Sequence, residues 1–135
     1  MLKNLFISTA VAAMALAAPA YAQDREERAE LAFAELVEGR TAGEPQPCIT
    51  AFQSSDIRVE ENVGLVYERG DTIWVARANN PRSLDNWDVP IIERFGSRLC
   101  RYDVTRTIDR STGMFSGVLF LDDFVPYTRA DEAEG

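Results

Sequence analysis

The hydrophobic period of this chain changes once, near Cys48, and that change limits the possible folds more than any other feature. Before it, from Asp24 to Glu38, Ala29, Ala32, Phe33, Leu36 and Val37 fall at i, i+3, i+4, i+7 and i+8. That spacing lines one face of a helix, and acidic residues crowd its first turn, where the positive end of the helix dipole favours them. Gly39 supplies the stop. Thr41 to Pro47 carries Gly43, Pro45 and Pro47, which cannot continue a helix or enter a central strand, so the stretch reads as a linker.

After Cys48 the period is two. Val63, Leu65 and Tyr67 alternate with Gly64, Val66 and Glu68, then Ile73 and Val75 with Trp74 and Ala76. This predicts a hairpin turning at Arg69-Gly70-Asp71, with Gly70 tolerating the positive φ that a tight turn requires. A second alternation sets Tyr102, Val104 and Ile108 against Asp103, Thr105 and Thr107. It reaches a turn at Asp109 to Gly113 and pairs with Phe115 to Leu121. Shorter strand candidates are Ile49 to Phe52, Ile57 to Val59, Ile91 to Phe95 and Phe124 to Tyr127, with Asp122-Asp123 as a break before the last. Ala78 to Pro90 is an irregular polar loop containing Pro81, Leu84 and Trp87. The fold class is therefore mainly β (α+β). One N-terminal amphipathic helix packs on a small antiparallel sheet or partly closed barrel.

The first 22 residues have the form of a secretory signal: Lys3, an apolar run from Leu5 to Ala18, and Ala20-Tyr21-Ala22 as a small-x-small cleavage site. The apolar run is shorter than the roughly 20 residues a membrane-crossing helix needs. The expected organisation is a signal peptide at 1–22, one globular domain at 23–129 and an acidic tail at 130–135, in a periplasmic or secreted product with no membrane span after signal removal. Cleavage removes Lys3 and leaves 13 basic residues, all arginine, against 22 acidic ones, a net charge of about −9. Such a surface repels nucleic acid and anionic lipid.

Lacking histidine throughout and lysine after cleavage, the mature chain cannot build a Ser-His-Asp triad, a lysine Schiff base or a histidine-ligated metal centre. No motif points to a cofactor. Two cysteines in an oxidising compartment, Cys48 and Cys100, are expected to bond to each other. Closing a loop of about 53 residues contributes at most roughly 4 kcal/mol on the chain-entropy model.

The surviving enzymatic idea is a carboxylate pair, for instance Asp88 and Glu93, acting as acid and base on a sugar bond. Asp85, Asn86 and Asp88 offer calcium too few oxygens and lack the glycine of an EF-hand loop, so a solvated turn explains them better. Arg69-Gly70-Asp71 spells the tripeptide that integrin-type receptors read, although the needs of a hairpin explain it without a receptor. Trp87 lies in the polar loop with Arg82, and an aromatic beside an arginine suits a protein anchor or a sugar platform. The plainer expectation is that Leu84 and Trp87 fold back over an open end of the sheet.

Leu65-Val66-Tyr67-Glu68, Phe95-Gly96-Ser97-Arg98-Leu99-Cys100 and Phe124-Val125-Pro126-Tyr127 resemble a group of short exported alphaproteobacterial proteins. The resemblance spans most of the mature chain. It implies export, small size and the cysteine pair, and it carries no function, cofactor or catalytic residue.

By elimination, the expected role is a non-catalytic binding or accessory module for an envelope protein or cell-wall component. Arg82, Asp85, Trp87 and Asp88 are the candidate binding residues. A small carboxylate-dependent hydrolase and a purely structural envelope protein are the alternatives. Intact-mass measurement of the exported protein should give a chain beginning at Gln23, and a product retaining Lys3 would contradict the signal reading.

Overall fold

The computed structural model describes residues 20–129. Most of the expected signal segment, residues 1–19, and the acidic tail 130–135 lie outside the described residues. Helix α1 (Ala20–Leu36) leads into β1 (Arg40–Ala42), β2 (Cys48–Thr50), β3 (Ile57–Glu60), β4 (Gly64–Arg69) and β5 (Thr72–Arg77). There follow β6 (Asp88–Glu93), β7 (Arg98–Cys100), β8 (Val104–Asp109), β9 (Phe115–Leu119) and β10 (Val125–Arg129). The strands form three open antiparallel sheets, ordered β1-β10-β5-β4-β3, β2-β7 and β6-β8-β9. The protein is thus mainly β with one helix, and its sheets do not close into a barrel.

The layers follow from β4 and β5. Leu65 and Tyr67 of β4, with Ala76 of β5, face a core shared with Ile49, Leu99, Leu119, Leu121 and Phe124 from the two smaller sheets and the C-terminal segment. Val66, Ile73 and Val75 face the other way and pack against Ala32, Phe33, Leu36 and Val37 of α1 and its end. The large sheet therefore lies between a helix and a second β layer, which is why its central strands read as nearly continuous apolar runs. Phe33 meets Tyr127 of β10 edge to face, with centroids 5.8 Å apart. Arg77 stacks over Phe33 at 4.4 Å and pairs with Glu30 at 2.6 Å, pinning the helix to the sheet. Gly64 is required by close approach: a Cβ there would lie 2.2 Å from the carbonyl oxygen of Ala76.

Three local expectations are corrected. Part of the proline-rich linker is strand: Arg40–Ala42 pairs with β10, and the Gly43 amide donates to the Pro126 carbonyl at 2.7 Å. Its position at the sheet edge is what makes the flanking prolines acceptable. The polar loop ends sooner than expected, because Asp88, Val89 and Pro90 already belong to β6. Phe52 and Phe95, expected in strands, lie outside them and are exposed.

The hairpin turns behave as the sequence suggests. β4 and β5 pair up to Arg69↔Thr72, with Gly70 at φ +59°. At the β8–β9 turn the Asp109 carboxylate accepts from the backbone amides of Ser111 and Thr112 at 2.8 and 2.9 Å and from the Ser111 hydroxyl. These bonds, the Ser111 hydroxyl foremost, hold its pKa below the usual carboxylate value. The stability this gives is present above the ordinary carboxyl range and is lost as pH falls through the lowered value.

Cys48 and Cys100 sit directly opposite each other in the β2–β7 ladder and form the disulfide. Alkylation without reduction should label neither cysteine. Converting both to serine should lower the unfolding free energy by about 2–4 kcal/mol, measurable by denaturant titration. Labelling of both residues in the unreduced protein would contradict the bond.

Candidate interaction surface

Strand parity assigns the two faces of the β6-β8-β9 sheet. Paired residues on neighbouring strands share a face, and Ile91↔Arg106, Arg106↔Val118 and Glu93↔Val104 are such pairs. One face therefore carries Val89, Ile91 and Glu93 from β6, Val104, Arg106 and Ile108 from β8, and Val118 from β9. The opposite face carries Asp88, Ile92, Thr105, Thr107 and Leu119.

Ile92 and Leu119 face the core, but the rest of this sheet reverses the common arrangement with apolar residues inward. Thr105 and Thr107 are buried, whereas Val104 is 52% and Val118 48% exposed. Ile91, Phe115 and Phe120 add to the exposed side, Phe115 through its pairing with Ile108. In its midst Arg106 and Glu93 form an ion pair. The outward face is a largely apolar patch built from three strands, with Glu93 and Arg106 in its middle and the exposed Arg110, opposite Trp87, at one end.

A polar cluster on the inward side holds this reversal in place. A register shift between Thr107 and Ile108 brings Ser116 inward as the extra residue of a bulge. Its hydroxyl donates to Asp88 Oδ1 at 2.7 Å and lies 2.8 Å from the Thr107 hydroxyl. Asp88 Oδ2 accepts from the Asp85 amide at 2.9 Å, so both carboxylate oxygens are used. A buried carboxylate without such partners would cost several kcal/mol.

The four candidate residues are not brought together. Trp87 is 60% exposed, and its parity continues the outward row of Val89 and Ile91. The expectation that it folds back over the sheet is corrected, because its carbonyl accepts from the Arg110 amide and extends the β6–β8 pairing by one step. Leu84 alone makes the inward cover. Asp85 Oδ1 accepts from the Trp87 amide at 3.1 Å, shaping the turn. Asp88 is buried behind the patch, not on it. Arg82 is exposed in a 3-10 turn, Pro81–Ser83, that sits beside α1.

The same placement bears on the chemistry. Asp88 and Glu93 lie on one strand with opposite parity, so they point to opposite faces and cannot flank one bond. Both Asp88 oxygens and Oδ1 of Asp85 are engaged in the bulge and the turn, and Asn86 donates to Glu61 at 2.8 Å. Among the described residues, no cluster of histidine, cysteine or carboxylate ligands is arranged to hold a metal ion. No helix among them is long and apolar enough to cross a membrane. No family model matches the chain, and no curated protein or solved structure matches it.

At one end of the patch a cleft of about 380 Å³ opens along β8 and β9, lined by Tyr102, Val104, Val118 and Phe120 together with the polar Asn79, Arg101 and Asp103. Arg101 stacks over the Tyr102 ring at 4.6 Å and donates to its hydroxyl at 2.8 Å, the bond that does most to raise the guanidinium pKa. It also pairs with Asp123 at 3.2 Å. The Val104 and Val118 side chains mark the patch, and sequence reasoning misses them because a valine–threonine alternation does not declare which row faces inward.

Trp87→Ala should leave the thermal midpoint nearly unchanged, since an exposed side chain loses little packing. Asp88→Ala should destabilise by about 1–2 kcal/mol through loss of the bonds from the Ser116 hydroxyl and the Asp85 amide. Thermal melting of the two variants separates the outer row from the inner one.

Proposed function

We propose that this is a non-catalytic periplasmic or secreted module that works by protein contact through the outer face of the β6-β8-β9 sheet. One observation carries the reading: Trp87, Ile91, Val104, Phe115, Val118 and Phe120 are all exposed, and strand parity sets them on the same side of the sheet. Contiguous apolar surface of this kind commonly marks an interaction site. Its aromatic residues and arginines are the types that anchor protein interfaces. Trp87 enters as part of this row, and Arg82 is left outside it. The largely apolar character of the face, with Glu93 already paired to Arg106, favours contact over hydrolysis.

A photoreactive residue placed at Val118 should capture a protein in the native envelope, whereas the same residue at Glu27 on the exposed side of α1 should not. Phe120→Asp should abolish the capture while leaving the melting profile intact. Adducts that form equally from Glu27, or that survive Phe120→Asp, would place the contact elsewhere.

A further inference from the structure

We infer that a small cleft at the Arg69 end of β4 is a binding site for a free α-amino acid, held by its two charged ends between Arg69 and Asp56. The cleft has a volume of about 180 Å³ and is lined by Phe52, Gln53, Asp56, Tyr67 and Arg69. None of these residues belongs to the β6-β8-β9 sheet, so the site is separate from the proposed contact face. Sites for drug-sized ligands usually enclose roughly 300–1,000 Å³. The occupant here is therefore a single small monomer.

The cleft forms where the core ends. Leu65, Tyr67 and Arg69 alternate along one face of β4, and the first two are buried in the core that this face covers. At Arg69 the core has run out, and the guanidinium stacks over the ring of Phe52, 5.0 Å from its centroid. Tyr67 lies at the base of the cleft. It is 1% exposed, yet its hydroxyl bonds to no described residue. A buried tyrosine hydroxyl ordinarily has a partner, and this one belongs to a residue that lines the cleft.

The facing wall is a fixed loop. Arg94 donates to the Ala51 carbonyl at 2.7 Å and to the Ser54 hydroxyl at 3.1 Å, and the Ala51 amide donates to the Ser97 carbonyl at 2.7 Å. These bonds anchor the chain on both sides of Phe52 and Gln53, while Phe52 itself stays 64% exposed. The 3-10 turn Ser54–Asp56 then carries Asp56 to the cleft.

Charge decides the ligand. Arg69 and Asp56 line the same cleft but form no ion pair, with each other or elsewhere, among the described residues. Asp56 accepts only a long bond, 3.4 Å, from the hydroxyl of the adjacent Ser55. One open cation and one open anion in so small a space complement a zwitterion. Stacking on Phe52 uses the face of the Arg69 guanidinium and leaves its N–H edge for a carboxylate. Asp56 receives the ammonium, and the Tyr67 hydroxyl and Gln53 amide serve the remaining hydrogen bonds. The end of a peptide brings one of these charges, whereas a free amino acid brings both.

The test is titration of L-leucine into the exported, disulfide-bonded protein, followed by amide chemical shifts. Arg69 is exposed and Asp56 half-buried, so water competes for both charges and the dissociation constant should be on the order of 0.1 mM. Shifts should concentrate at residues 52–56 and 67–69. N-acetyl-L-leucine and L-leucinamide, each lacking one charge, should bind at least tenfold more weakly. Asp56→Asn should weaken leucine at least tenfold and leave N-acetyl-leucine unchanged, and Arg69→Gln should weaken leucine equally and leave leucinamide unchanged. Tyr67→Phe, which keeps the ring in the core, should weaken leucine several-fold. Melting profiles of the three variants serve as the control on folding. Absence of shifts at about 10 mM leucine overturns the inference, as does binding that neither analogue nor charge variant weakens. A stronger response at these residues to glucose or N-acetylglucosamine also overturns it, because the site would then read hydroxyls and not a zwitterion.

Discussion

Strands β4 and β5 are covered on both faces, and a sheet in that position needs a layer on each side. Burying side chains on alternate sides of a strand multiplies the apolar area removed from water, but it succeeds only if two separate structures supply the cover. Here α1 covers one face, while the β2-β7 and β6-β8-β9 sheets share the other with the segment around Phe124. The helix's contribution is fastened by Phe33, Tyr127, Arg77 and Glu30. The other layer is fastened by the disulfide between β2 and β7 and by the core around Tyr67 and Phe124.

The second layer is where the protein departs from economy. The β6-β8-β9 sheet turns threonines and an aspartate toward the interior and its valines and phenylalanines toward water. A sheet serving stability alone would do the opposite. The inward polar groups are accommodated because the bulge delivers Ser116 to Asp88 and Thr107, so the hydroxyls and carboxylate satisfy one another. Local rules are most often broken at functional sites, and this reversal is the reason for assigning contact to that face. Neither half of the arrangement stands without the other.

Much of the scaffold can be read in the residues. The spacing of Ala29, Ala32, Phe33, Leu36 and Val37 gives the helix and its buried stripe, Gly70 gives the first hairpin, and the two cysteines give their own bond. The edge strand Arg40–Ala42 is invisible because three residues beside prolines acquire strand character only from their partner in β10. The orientation of β8 is hidden for a different reason. Valine and threonine are nearly isosteric and equally suited to strands, so the alternation fixes the period but not the side. The candidate site is accordingly legible only in part. Trp87 falls on the patch, while Asp85 and Asp88 prove to be braces behind it and Arg82 lies beside α1. Val104, Val118 and Phe120 carry no sequence signal that distinguishes them from core residues.

The strand order has a consequence for how such a chain can be completed. The covalent ring closed by Cys48 and Cys100 contains β3, β4, β5 and β6, whereas β8, β9 and β10 come from the 35 residues after it. β10 is inserted between β1 and β5, and β8 between β6 and β9. Each of the two larger sheets is thus a splice of early and late chain: the five-stranded one needs β10 and the three-stranded one needs β8 and β9. Until those late strands pair, β5 and β6 are open edges. The strand Val125–Arg129 acts as the keystone of the five-stranded sheet: without it, β1 has nothing to join.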